Sequence, residues 1–345
     1  MANLFLELLQ VSLGTRDKLS RVPNAHEWGA IYDEAERQAI IGILLGGLER
    51  LPAEQLPPLE LKLQWIGMGQ MMEAEYRLHC ERASELSRRF RSVGFKNCVL
   101  KGIAISRYYP QPERRQCGDI DLWVDGRRKD VMAWMRSQYE IGHNVWHNVG
   151  VEIFEDVPVE IHFHPAWLYH PMHNYRLQRF FEKYKKSFME VKTATLGYSC
   201  TSTSFDAIFA LVHFFRHLIV EGVGLRHVID YYYVCKQIEK ENIQEEVKDN
   251  IRRMGLIRIA SAMMWVLNEK CGMPMRLCLC QPNEKEGLFL LQELMVGGNF
   301  GQSRTDGMGY NSFRRFCVML RHYPNEVLWL LPWKVWHKCW RLLNT

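Results

Sequence analysis

The stretch Gly118-Asp119-Ile120-Asp121-Leu122-Trp123-Val124 alternates polar and apolar residues, the period of a half-buried strand. In extended backbone, residues i and i+2 share a face, so Asp119 and Asp121 project side by side with Cα atoms ~6.6 Å apart. Ile120 and Leu122 then point the opposite way, into a core. Two carboxylates held this close repel each other unless something positive sits between them. A divalent metal is the natural occupant, since Mg²⁺ takes oxygen ligands from one or two carboxylates plus substrate phosphates. A D-x-D pattern alone is a weak signal, because aspartates near strand ends are common; its surroundings give it weight.

Downstream, residues 149–154 (VGVEIF) and 157–164 (VPVEIHFH) read as two strands joined at Glu155-Asp156, and the second carries Glu160 between apolar neighbours. Upstream, the short apolar run 97–100 ends in Lys101-Gly102 and leads into one or two helical turns, a junction that would present backbone N–H groups to an anion. With a helix over 127–138, the middle of the chain reads as a small mixed sheet. Both flanks have helical periodicity: 4–13, 31–51 and 59–90 before the sheet, and 205–221, 224–240, 243–254, 257–270 and 284–296 after it. The expected class is therefore α+β. The expected organisation is an N-terminal helical segment (1–75), an α/β core (76–195) and a C-terminal helical domain (196–345).

Composition agrees with an ordered globular chain. Of 345 residues, 47% are hydrophobic and 24% charged, which excludes intrinsic disorder, collagen-like repeats and a coiled-coil rod. The formal charge of +5 permits a phosphate-bearing ligand but falls short of the charge stripe of a dedicated nucleic-acid binder. The start, MANLFLELLQ, lacks a basic n-region and carries Glu7, so it does not read as a signal peptide. The longest apolar stretches, 39–48 and 256–267, are shorter than the ~20 residues of a membrane-spanning helix. Ten cysteines without a secretory signal read as reduced thiols in a cytoplasmic protein. Only Cys271, Cys278 and Cys280 cluster, without the paired spacing typical of structural zinc.

The segments VLKGIAISRYYPQPERRQCGDIDLWVD (99–125) and VPVEIHFHPAW (157–167) together resemble the uncharacterised bacterial nucleotidyltransferase family of the DNA polymerase β-type superfamily. LVHFFRHLIVEGVGLRHVIDYYYV (211–234) and ELMVGGNFG (293–301) resemble the helical C-terminal part of the same family. The resemblance implies that Asp119, Asp121 and Glu160 are catalytic and hold Mg²⁺, two ions, with Glu160 assisting deprotonation of the attacking hydroxyl. It implies that Lys101 and the Gly102 backbone receive the β- and γ-phosphates of an NTP. Arg114 and Arg115, just before the metal strand, would neutralise further phosphate charge. The implied reaction is attack by an acceptor hydroxyl, on a small molecule, protein or RNA end, at the α-phosphorus, with release of pyrophosphate. Arg226 and Asp230 are implied to face this core. Gly102-Ile103 stands where the superfamily has Gly-Ser, so the serine's phosphate contact is missing, and the gap to Asp119 is long and holds Pro110 and Pro112. The rival expectation is a non-catalytic nucleotide-binding, antitoxin-like or scaffold protein that keeps the fold.

Five further features carry expectations. His213 and His217, four residues apart on an aromatic helix, read first as packed histidines, then as cleft-lining groups and last as zinc ligands. His162 and His164 share the strand face of Glu160 and read first as structural polar contacts, then as groups that border the site, one of them as a substrate contact or accessory base. Gly297-Gly298-Asn299-Phe300-Gly301 follows a helix and lacks a P-loop lysine, so it reads as a helix stop; the basic run 176–192 reads as a solvated face. Among 11 tryptophans, Trp329, Trp333, Trp336 and Trp340 form one helical face that Pro332 is expected to interrupt. Beside Lys334, Lys338 and Arg341 that face suggests either core closure or weak membrane or protein docking.

Overall fold

The computed structural model describes residues 2–188, 197–301 and 312–344. The chain is α+β, with a five-stranded mixed sheet between two sets of helices. The N-terminal set comprises α1 (Ala2–Leu13), α2 (Ala25–Arg37), α3 (Ile41–Leu48) and the long α4 (Leu59–Ser92). α2 opens on a reciprocal capping box between Asn24 and Glu27. The single helical pattern read over 31–51 is two helices. Ala39 takes φ 57°, a left-handed turn that ends α2 and lets the wholly apolar α3 turn into the core. α4 stops at Gly94, φ 89°, where the sequence placed its end.

The sheet contains β1 (Lys96–Val99), β2 (Ile120–Asp125), β3 (Glu140–Asn144), β4 (Asn148–Glu152) and β5 (Val159–His162), in spatial order β1-β2-β5-β4-β3. α5 (Lys101–Ser106) follows β1, and α6 (Arg128–Gln138) follows β2. β2 and β5 are the parallel pair at the centre, and the remaining pairings are antiparallel. β4 and β5 form the expected hairpin. β3 was not expected, because EIGHN lacks the apolar alternation that marks a strand and lies largely exposed at the sheet edge. One sheet face packs Ile120, Leu122, Val124, Val159 and Ile161 against Leu86, Phe90, Val131 and Met135. Trp123 points the other way and stacks on Phe205, ring centroids 5.6 Å apart.

The C-terminal set is α7 (Pro171–Phe188), α8 (Thr203–Val220), α9 (Leu225–Glu241), α10 (Gln244–Arg253), α11 (Ile257–Trp265), α12 (Glu284–Gly297), α13 (Phe313–His322), α14 (Pro324–Val327) and α15 (Leu330–Asn344). These helices share one apolar core with α1–α3. Cross-links seal that junction: the Gln10 amide donates to the Lys270 carbonyl at 3.0 Å and the Thr15 hydroxyl to that of Cys271 at 2.7 Å. α8 is long and apolar enough to span a membrane by length and composition, yet 72% of it is buried as the central core helix. The sequence reading placed this helix at 205–221 but did not count it among the longest apolar stretches, because His213, Arg216 and His217 interrupt the apolar run.

All ten cysteines are free thiols. Gly298, φ 60°, caps α12, so the glycine-rich run is a helix stop. Within the basic run, Lys185 pairs with Asp125 at 2.9 Å, and residues 189–192 lie outside the described residues. Pro332 does not interrupt the tryptophan helix. It sits in the first turn of α15, where no intrahelical N–H is needed, and the break falls earlier, at Leu328-Trp329.

Candidate active site

The register of β2 and β5 sets Asp121 beside Glu160 and Trp123 beside His162. Side chains alternate along strands, so Asp121, Glu160 and His162 leave the sheet on one face. His162 Nε2 lies 2.7 Å from Asp121 Oδ1 and 3.4 Å from Glu160 Oε2. The Asn148 amide of β4 donates to Glu160 Oε2 at 2.5 Å. His143 reaches over from β3, its Nε2 3.3 Å from Glu160 Oε1. That approach depends on Gly150, the β4 partner of Glu160, because a Cβ there would stand 2.6 Å from His143 Nδ1.

Lys101 closes the other side. Its Nζ lies 3.0 Å from Asp121 Oδ2 and 3.5 Å from Asp119 Oδ2. Asp119 and Asp121 therefore face the same cation, with Asp121 fully buried and Asp119 partly open at the mouth. Lys101 and Gly102 form the β1–α5 junction with φ of 27° and 47°. With ψ −119°, Gly102 adopts a backbone conformation that a side chain would strain. The start of α5 is consequently a kinked junction rather than a regular first helical turn.

These contacts set the charges. Burial raises the Asp121 carboxyl, and repulsion from Asp119 adds to it, against the pull of Lys101 and His162. Burial would raise Glu160 as well, but hydrogen bonds from His143 and His162 hold it far below the usual carboxylate range. Burial disfavours charge on His162, yet Asp121 and Glu160 overcome it and the imidazole is pushed up to about 9. Lys101 behaves alike: burial opposes its charge, and Asp121, Asp119 and Glu160 raise it regardless. Three carboxylates thus face one ammonium and one imidazolium.

The donor set suits a divalent cation. One ligand atom from each of Asp121, Glu160 and His162 lies within 4.8 Å of the other two. Buried Asp121 Oδ2 meets only the Lys101 ammonium, at 3.0 Å, so a cation already sits where a metal ion would bind. The expected trio of Asp119, Asp121 and Glu160 is accordingly reshaped. His162, expected only at the border of the site, joins Asp121 and Glu160, while Asp119 meets the group through Lys101.

The two arginines separate. Arg114 turns away toward the N-terminal helices and binds Glu49 at 2.6 and 2.8 Å, with Glu73 at 3.4 Å. Arg115 is buried and grips Asp230 through two 2.7 Å hydrogen bonds, and the Tyr109 hydroxyl donates to the same carboxylate. Arg115 and Asp230 line a small cavity of ≈ 80 Å³ with Lys101, Gly102, Arg226 and His213. A second pocket of ≈ 390 Å³ shares Lys101, Asp119 and His213 and adds Glu160, His162 and His143. His213 therefore lines the cleft, and burial holds its imidazole neutral. His217 meets Glu221 on its own helix, and His164 stacks on Trp146 at 4.2 Å.

Sequence reasoning missed His143 and Asn148. The signals were a histidine in an apparently strandless segment and an asparagine two residues before Gly150. Both become meaningful only through the β3–β4–β5 pairing.

A D-h-D strand paired in parallel with a strand bearing a third carboxylate, opening on a cleft lined by buried cations, is the arrangement that the resemblance to nucleotidyltransferases implies. The chain belongs to a family described as uncharacterised nucleotidyltransferase, whose model matches residues 24–272. A comparison with curated proteins found no match.

Proposed function

We propose that the protein transfers a nucleoside monophosphate from an NTP to an acceptor hydroxyl and releases pyrophosphate, in dependence on Mg²⁺. The observation that carries this reading is the convergence of Asp121, Glu160 and His162 on one point beside a cleft lined by Lys101, Arg115 and Arg226. Family membership supports the same reaction class. Asp121 and Glu160 supply the oxygen ligands, His162 adds a nitrogen, and Asp119 at the mouth completes the acidic set for one or two ions. Bound there, a divalent cation lowers the pKa of a coordinated hydroxyl and offsets charge on the transferring phosphoryl group.

The chain's own residues do the remaining work. Lys101 and Arg226 bring fixed positive charge to the pocket that would take the triphosphate. The kinked Lys101-Gly102 backbone borders that pocket without a Cβ at its second residue. His143 and Asn148 hold the Glu160 carboxylate in place by hydrogen bonding, the kind of support that orients a ligand. His162, charged in this state, must give up its Nε2 proton before that nitrogen can ligate, so metal loading releases a proton.

A second reading is nucleotide binding without transfer. It is favoured by Lys101 lying between the two aspartates and by Ile103 in place of the superfamily serine. Incubation with Mg²⁺, α-labelled NTPs and a panel of hydroxyl acceptors separates the two. Label transfer with pyrophosphate release, lost in Asp121→Asn, supports transfer. Calorimetric NTP binding with no pyrophosphate formed under any acceptor supports the second reading.

A further inference from the structure

The tryptophan face of α15 is turned inward. Trp333 stacks on Trp167 at 5.2 Å and meets Trp146 at 5.4 Å, Trp336 meets Trp146 at 5.7 Å, and the Arg128 guanidinium lies 4.9 Å from the Trp340 ring. The helix is thus fixed to the body by its indoles, and its opposite face needs a separate explanation. That face carries Leu331, Val335 and Leu342, at 55%, 65% and 77% exposure, and Leu328 continues it at 60%. Leu331, Val335 and Leu342 are spaced by four and seven residues, so they form one stripe along the helix. A soluble surface seldom leaves so many large aliphatic side chains contiguous and open.

Charge identifies the occupant. Lys334, Lys338 and Arg341 form an exposed row along one flank of the apolar stripe, spaced by four and three residues. α15 itself carries no Asp or Glu, and Glu326 just before it is buried, accepting hydrogen bonds from the Tyr169 and His170 backbone N–H groups. A second copy packed isologously on this face would bring two cationic rows together with no carboxylate of the helix to meet them. An anionic surface with an apolar interior matches both stripes.

We propose that the outer face of α15 docks on an anionic lipid bilayer, with Leu331, Val335 and Leu342 entering the acyl boundary and Lys334, Lys338 and Arg341 meeting headgroup phosphates. The same three cations line a groove of ≈ 700 Å³ with Arg216, His147 and His217. Arg216, His147 and His217 also wall the pocket that holds Glu160 and His162. Docking therefore opens the acidic cleft at headgroup level, a consequence that holds whatever reaction the cleft performs.

The test is co-sedimentation of the full chain with phosphatidylcholine vesicles, with and without phosphatidylglycerol, in the absence of nucleotide. Strong binding to the anionic vesicles that falls with added salt is expected. Lys334→Ala/Lys338→Ala/Arg341→Ala should weaken it by about a hundredfold, roughly fivefold per cation. Leu331→Gln/Val335→Gln/Leu342→Gln should abolish it while leaving the melting temperature unchanged, because these side chains contact solvent. Should the apolar variant lose structure, the cation variant alone decides. Absent vesicle binding, binding indifferent to the cations, or concentration-dependent dimers in light scattering that the leucine substitutions dissociate would each overturn the proposal.

Discussion

Two buried groupings of cation and carboxylate border the same cleft and are built in opposite ways. Arg115 and Asp230 form a closed pair: a planar fork meets a carboxylate through two hydrogen bonds, and Tyr109 and the Gln116 carbonyl take up further valences. Lys101, Asp119, Asp121, Glu160 and His162 form an open group. His162 Nδ1 makes no hydrogen bond despite burial, Asp121 Oδ2 meets only the Lys101 ammonium, and carboxylates outnumber cations. A buried pair with every site satisfied is a structural device; a buried cluster left short of positive charge is arranged for a ligand that brings more.

The largest effect expected from this contrast is on stability. Arg115→Ala leaves Asp230 buried and uncompensated and should cost about 3–5 kcal/mol in denaturant unfolding. Asp121→Asn removes a carboxylate from the crowded group, and its unfolding free energy should stay at or above that of the unmodified chain. The pair also sets an acid limit. Burial alone would raise the Asp230 carboxyl, but the charge of Arg115 and its hydrogen bonds hold it below the usual range. Its contribution is therefore complete above the ordinary carboxylate pKa and is lost as pH falls through the lower folded value. Arg115→Ala should remove that acid-side slope, which pH-dependent melting curves read directly. A normal slope in the variant would show that Asp230 is not held by Arg115.

The next effect belongs to the open group. A divalent cation at about a hundred times its dissociation constant should add about 2.7 kcal/mol to stability. Asp121→Asn should erase that gain, whereas a variant at the Arg115 pair should retain it. Comparing thermal shifts with Mg²⁺ and Mn²⁺ also reveals how far the imidazole nitrogen tilts the site from the harder ion. A shift that survives Asp121→Asn would place the cation elsewhere.

How much of this was legible in sequence differs between the two groupings. Period-2 alternation located β2 and β5 and put Asp121 and Glu160 on strands, because each strand has one face in the core and one in the cleft. It could not give the register, so His162 appeared beside the site rather than in it. Arg115 and Asp230 lie 115 residues apart, and nothing local distinguishes an arginine locked by a remote carboxylate from one waiting for phosphate. β3 was invisible because an exposed edge strand needs no apolar alternation, and His143 went with it. The tryptophan spacing disclosed a helix face, while its direction depended on where Trp146 and Trp167 lay in three dimensions.

The smallest effect expected comes from a residue with no side chain. Gly150 sits opposite Glu160, and an added methyl would stand 2.6 Å from the His143 ring. Gly150→Ala must displace either the imidazole or the strand, and the exposed ring on an edge strand is the softer of the two. Glu160 then loses one of the hydrogen bonds that keep it ionised and oriented but retains Asn148 and His162. Cation affinity should fall by about tenfold, within the range for loss of a group supporting a metal ligand. Stability without metal should change little. His143→Ala should reproduce the affinity loss, and Gly150→Ala added to it should cost nothing more, since the methyl then meets no ring. If the two losses add instead, Gly150 acts on the sheet and not through His143, and the support for Glu160 rests on Asn148 and His162 alone.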